Sequence, residues 1–437
     1  MKRLRLLLPA LALLLLCCGC GLGGSIDELY SLPQMSDEYL ELQHAMDAVL
    51  ASGAVYSAPV DGTHRQSVQL VDLNGDGTEE AVAFFRAAGE KPLKIWFFRQ
   101  QEGSYEKAAV VEGDGSTIES IDYVDLDGDG WTEAVVGWGM APELKMLEVF
   151  SLKGFQVSSI AAADFTRYLI ADLDGNGRQE LMTVRRGTAE NPGSVTLFGL
   201  AGDGEPVSAS ERLSGGMEGI TKLASGALRD RPGALFVEGS CQGGLVTDIL
   251  TYGDGVLKNI TLDPATGVSE GTLRASTAAF QDLTGDGTPL IPMPRSLPAQ
   301  GETVYRVLDW YGYNSRGKRS IVCTTYHNYS DSWYLVLPDS WGPISVRRQD
   351  SDGGERAVVF SRWNGEGAAV TDFLTIYSLS GENRIELAHR PGRTAILEAG
   401  ETVYAAAITK PEAWSEGPDL PWLRQNFHLI YSDWIAQ

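Results

Sequence analysis

Short apolar runs recur along most of this chain, each broken by Gly and Asp. Val68-Gln69-Leu70-Val71 is one, and Ala81-Val82-Ala83-Phe84-Phe85 is the next. β-Branched and aromatic residues bounded by turn formers predict strands. A second kind of run, Leu93-Lys94-Ile95-Trp96-Phe97-Phe98, precedes a glycine turn and another apolar stretch. Similar runs lie at 146–150, 195–200, 247–252, 304–310, 373–377 and 427–432. The pattern therefore predicts units of four strands, two around an acidic loop and two in a hairpin.

The acidic loops set the spacing. Asp72-Leu73-Asn74-Gly75-Asp76-Gly77-Thr78-Glu79-Glu80 is repeated from Asp125 to Glu133 and from Asp172 to Glu180. A weaker copy starts at Asp282. The steps are 53, 47 and 110 residues, the last being two steps with a degenerate copy near 223–237. Two more units are expected around 334–346 and 394–406. Seven four-stranded units of about 50 residues predict an all-β fold, a single β-propeller of seven blades, over residues 54–437. The strand at 427–431 is expected to complete a blade.

Each loop offers oxygen at positions 1, 3, 5 and 9 and a carbonyl at position 7, the donor set of a hard cation. Glycine at position 6 permits the sharp turn. The expected ligands are Asp72, Asn74, Asp76, Thr78 and Glu80 in the first loop. In the second they are Asp125, Asp127, Asp129, Trp131 and Glu133. In the third they are Asp172, Asp174, Asn176, Arg178 and Glu180. The fourth has Asp282, Thr284, Asp286 and Thr288, but Leu290 replaces the acid at position 9. The second loop, with four carboxylates, is expected to bind best. An EF-hand is excluded, because position 12 is Ala83, Val136 or Thr183 and the flanks are strand-like.

These loops and their flanking strands resemble the FG-GAP/VCBS repeats of integrin α-chain propellers and of bacterial surface proteins. The resemblance implies a propeller with Ca2+ in the first hairpin loop of several blades. It implies no particular partner, since such repeats serve adhesion, scaffolding and some lyases.

Residues 1–19 read as a lipoprotein signal peptide. Lys2, Arg3 and Arg5 precede an apolar run at 6–16, too short to span a bilayer. Gly19-Cys20 resembles a bacterial lipoprotein cleavage site, with Cys20 lipidated and Cys18 the fallback acceptor, although Cys17 stands where Leu is usual. Residues 20–35 read as a tether and 36–53 as a helix with Leu42, Ala45, Met46, Val49 and Leu50 on its apolar face. The expected location is the outside of a bacterial membrane, held by the lipid.

A formal charge of −23 argues against nucleic acid as a partner. The five histidines are scattered, and the sequence contains no HExxH and no GxSxG. Nine Tyr and Trp residues fall between 305 and 341. Trp310, Tyr311, Tyr313, Trp333 and Trp341 are the candidate ligand-binding rings, against the alternative that they pack blades. The sequence thus predicts a calcium-binding module for a surface protein or glycan. The alternatives are a calcium-dependent propeller enzyme such as a polysaccharide lyase, or a structural subunit of an envelope complex.

Overall fold

A computed structural model describes residues 37–101, 104–188, 190–200, 206–299, 301–351, 354–409 and 417–431. The signal peptide, the tether and Cys20 lie outside the described residues. The described chain falls into two compact units. The first comprises the described residues up to Ala58, with Gln66–Asp72 and Asp76–Gly113. The second comprises Pro59–Arg65, Leu73–Gly75 and the described residues from Asp114 on.

The first unit is a helix, Asp37–Ala51, on one antiparallel sheet. The sheet joins Val68–Val71, Glu80–Arg86, Leu93–Gln101 and Ser104–Gly113, with Val55–Tyr56 pairing onto Glu80–Arg86. Leu42 and Val49 are buried against Phe85 and Phe98, with Ala45, Met46 and Leu50 packed alongside. The helix ends where Gly53 takes φ 92° and its N–H donates to the Leu50 carbonyl. Left-handed backbone at that point favours glycine, which carries no Cβ.

The second unit holds five further sheets. Thr117–Val124, Glu133–Ala141, Leu144–Ser151 and Ser158–Phe165 form the first of them in simple up-and-down order. Arg167–Ala171, Glu180–Arg185, Ser194–Leu200 and Pro206–Arg212 form the next. Gly219–Leu228, Arg231–Cys241, Gly244–Gly253 and Val256–Asn259 follow. Ile291–Ser296, Arg306–Tyr313, Arg319–Asn328 and Trp333–Leu337 make the fourth, and Phe427–Leu429 pairs onto its last strand. The final sheet orders Ile344–Ser351, Glu355–Arg362, Thr371–Leu379, Thr402–Ile408 and Thr394–Ala399. Successive antiparallel meanders of this kind are the blades of a β-propeller, and the fold is all-β of that class.

The core lies between consecutive sheets of this unit. Leu173, Met182 and Leu197 meet Leu235, Val237 and Leu250 in one layer. Tyr326 and Trp333 meet Phe360, Phe373 and Ile376 in another. Period-2 alternation places one side of each strand in each layer.

The described residues form six sheets where seven units are expected from sequence. The run at 334–346 is not one unit. Trp333–Leu337 ends one sheet, a short turn at Asp339–Trp341 follows, and Ile344–Ser351 begins another. The hairpin Thr394–Ala399/Thr402–Ile408 pairs onto Thr371–Leu379, so it extends that sheet and founds none of its own. Apolar runs alone do not say which neighbour a strand pairs with.

Among the described residues no helix is long and apolar enough to cross a membrane. Cys241 and Cys323 are free thiols, each partly buried, in different sheets.

Candidate metal centre

Every acidic loop spans the same register. The residue before position 1 pairs with position 9: Val71 with Glu80, Val124 with Glu133, Ala171 with Glu180, and Gln281 with Leu290. The first three loops therefore join the first acidic-flanked strand of a sheet to the next by the same turn.

In the Asp125 loop the turn is built from side-chain acceptors. Asp125 Oδ1 accepts from Gly128 N–H at 2.7 Å, and its Oδ2 accepts from Gly130 N–H at 3.0 Å. Asp127 Oδ1 accepts from Asp129 N–H at 3.0 Å. Asp129 Oδ1 accepts from Trp131 N–H at 2.8 Å. Gly128 and Gly130 stand at φ 76° and 91°, so positions 4 and 6 both need left-handed backbone. The Asp172 loop repeats these bonds, with Asn176 Oδ1 accepting from Arg178 N–H at 2.7 Å.

Glu133 starts the second strand and is buried, its Oε2 accepting from Leu126 N–H at 3.0 Å. Glu180 does the same with Leu173 N–H at 2.8 Å. Carboxylate oxygens of Asp125, Asp127 and Glu133 all lie within 4.8 Å of one another, and so do those of Asp172, Asp174 and Glu180. Burial pushes Glu133 up to about 7 despite the Leu126 bond, and the charges of Asp127, Asp125 and Asp129 add to the effect. Burial likewise pushes Glu180 up to about 7, with Asp174 and Asp172 contributing. Three converging acids are a donor set that a hard dication fits.

The Asp72 loop keeps the turn in the first unit. Gly77 N–H donates to Asp72 Oδ2 at 2.9 Å and Thr78 N–H to Asp76 Oδ1 at 2.7 Å, with Glu80 buried. Asn74 belongs to the second unit by compactness. The Asp282 loop also keeps the turn, with Gly285 and Gly287 N–H groups donating to Asp282 at 2.8 Å and Thr288 N–H to Asp286. Leu290 is buried where the other loops bury Glu. The turn therefore persists without the position 9 acid.

One participant is absent from the sequence expectation. Lys153 Nζ lies 2.6 Å from Asp129 Oδ2, and that bond holds Asp129 below the usual carboxylate range. Lys153 comes from the turn after the third strand of the same sheet, a distance in sequence that no loop motif reports. Asp129 thus already has a cationic neighbour. On the calcium reading proposed below, Lys153→Ala is expected to raise affinity at this loop by about two- to fivefold, because an exposed ion pair is easily exchanged. Calcium titration of the two proteins by calorimetry checks it, and equal affinities would remove Lys153 from the account.

The candidate ligand-binding aromatics require a correction. Trp310 and Trp333 are 0% exposed and Tyr313 and Trp341 3%, leaving only Tyr311 partly exposed. Trp310 N–H donates to Thr325 Oγ1 and Trp333 N–H to Ser378 Oγ. Trp310 and Trp333 pack between sheets, on strands covered on both faces, whereas Trp341 sits in the Asp339–Trp341 turn.

Consecutive antiparallel meanders whose opening hairpins carry acidic Asx-turn loops define a repeat propeller. An FG-GAP-like repeat family model matches residues 72–136, which contain the first two loops. The chain carries an FG-GAP-like repeat there. No curated protein matches the chain in sequence. Among solved structures it is similar to a protein from Lactobacillus plantarum, at 9% identity and TM-score 0.28, over 72% of this chain and 85% of that one. It is also similar to the rhamnogalacturonan lyase YesW, at 13% identity and TM-score 0.22, over 59% of this chain and 60% of that one. Likenesses of this extent assign no activity.

Proposed function

We propose that this protein is a calcium-stabilised propeller, anchored by a lipid on Cys20 outside a bacterial membrane, that acts as a binding module for a surface protein or glycan. The observation that carries the calcium reading is the convergence of Asp125, Asp127 and Glu133, matched by Asp172, Asp174 and Glu180. Asp and Asn oxygens with a position 7 carbonyl are hard donors, which favour calcium over softer-ligand metals. The buried glutamates would lose their electrostatic penalty when a dication sits among them. The ion would supply cross-linking of loop to strand, and the chain supplies the preformed turn.

Calcium is expected to raise the melting temperature by several degrees. With affinities of about 0.1–1 mM, 10 mM calcium contributes about 1.4–2.7 kcal/mol per site. Asp127→Ala with Asp129→Ala should remove the share of the Asp125 loop. A melting curve indifferent both to EDTA and to calcium would show that Asp-Gly turns alone hold the hairpins.

Cys20→Ala is expected to move the protein out of the membrane fraction or leave it as a precursor. Attachment that survives Cys20→Ala but not Cys18→Ala would transfer the acceptor role to Cys18.

The lyase alternative needs a base that releases its proton near neutral pH. The Tyr168 hydroxyl, in a cavity of the second unit, is pushed well up by burial and by its bond to Asp122. That favours holding a ligand over proton abstraction by this group.

A further inference from the structure

A cavity of about 680 Å3 opens in the second unit. Its walls come from the opening strands Thr117–Val124, Arg167–Ala171 and Gly219–Leu228 of three successive sheets, with residues 61–63 beside them. The volume is that of a ligand cleft, for which about 300–1,000 Å3 is usual. Neither the calcium loops nor the aromatic-rich stretch contributes to it.

The chemistry of the wall is specific. Tyr168 donates its hydroxyl to Asp122 Oδ2 at 2.5 Å and lies 2.9 Å from Ser120 Oγ. Glu119 is paired with Lys145, and Glu143 with Arg186 at 2.6 Å. Arg167 is exposed and makes no ion pair among the described residues. Four carboxylates, counting Asp61, face three cations, so the charges nearly cancel. Beyond a first contact at Arg167, a polyanion would have to displace Glu119 and Glu143 from their partners, and beyond Asp61 and Asp122 a polycation would have to displace Lys145 and Arg186. Beside the polar groups lie Phe165 and Ile220, both buried, and Leu223.

Planar carboxylates and a guanidinium present paired acceptors and paired donors, which match two adjacent hydroxyls. The apolar patch matches a face of C–H bonds. We propose that this cavity binds an uncharged, hydroxyl-rich ligand, a neutral oligosaccharide, with Arg167, Asp122 and Tyr168 contacting its hydroxyls. The proposal rests on the binding-module reading and names the ligand class and the place.

The test is calorimetric titration of the full protein with tetrasaccharides of glucose, mannose and galactose, in calcium and in EDTA. Tetragalacturonate serves as the acidic counterpart. At least one neutral series is expected to bind saturably and more tightly than tetragalacturonate. Arg167→Ala and Tyr168→Phe are each expected to weaken it about tenfold, the value of one lost hydrogen bond in a cleft. Both variants change partly or fully exposed groups, and their melting curves verify that they fold. The proposal is overturned if no neutral series binds, if tetragalacturonate binds more tightly, or if both variants keep wild-type affinity. A calcium-dependent melting shift without saccharide binding would fail the cavity alone. Saccharide binding without a calcium shift would support the cavity and fail the loops alone.

Discussion

Replacing Arg274 by Met is expected to cost about 3–5 kcal/mol of folding stability, the penalty for stranding a buried charge. Arg274 and Glu238 form an ion pair in which both side chains are fully buried. Arg274 also donates to Thr247 Oγ1 and the Thr272 carbonyl at 3.0 Å, and to the Ala278 carbonyl. Glu238 accepts in turn from Phe280 N–H at 3.1 Å and from Thr247 Oγ1 at 3.2 Å. The pair thereby ties the irregular stretch after Val256–Asn259 to the sheet it leaves. Glu238 Oε1 is already buried with no hydrogen-bond partner among the described residues, so little remains to compensate a lost arginine. Arg274→Met combined with Glu238→Leu should recover most of the loss, because no charge is then stranded. Urea unfolding of both variants measures this. A single variant within about 1 kcal/mol of wild type would mean that water reaches the site.

Trp333→Ala is expected to be comparably damaging, about 3–5 kcal/mol, through the cavity it leaves. The ring is fully buried, with Tyr326 at 5.8 Å and Phe427 at 5.5 Å between centroids. Its N–H reaches Ser378 Oγ at 3.2 Å in the neighbouring sheet. Trp333→Phe should cost clearly less, since most of the volume is kept. The same variants separate packing from recognition. A Trp333→Ala protein that unfolds like wild type but loses a ligand would restore the binding role that burial argues against.

What could be read from the residues was whatever the local pattern carries. The loops at Asp125 and Asp172 were legible because Asx turns and glycine placement are encoded within nine consecutive positions. The degenerate copy near 223–237 was legible from its apolar flanks, and there Leu228 pairs with Arg231 across a tight turn in place of an acidic loop. Partner choice was not legible. Nothing in Thr402–Ile408 says that it lies beside Thr371–Leu379, and nothing in Lys153 says that it faces Asp129. The cavity was invisible for the same reason, since Asp122, Arg167 and Ile220 meet only through the order of the sheets. Aromatic density misled because Trp310 and Trp333 sit on strands covered on both faces, where large rings fill space.

The pairing of Trp333 with Leu429 has a kinetic meaning. The edge strand Phe427–Leu429 comes about 90 residues after the strand it joins, and the whole Ile344–Ile408 segment is spelled out between them. During synthesis that sheet must wait with Trp333–Leu337 exposed along one side, while a later meander assembles. Its last partner arrives only after the neighbour is in place. Ordering of this kind makes the closing strand a late step, and the open side of Trp333–Leu337 the place where a stalled or shortened chain would recruit a foreign strand.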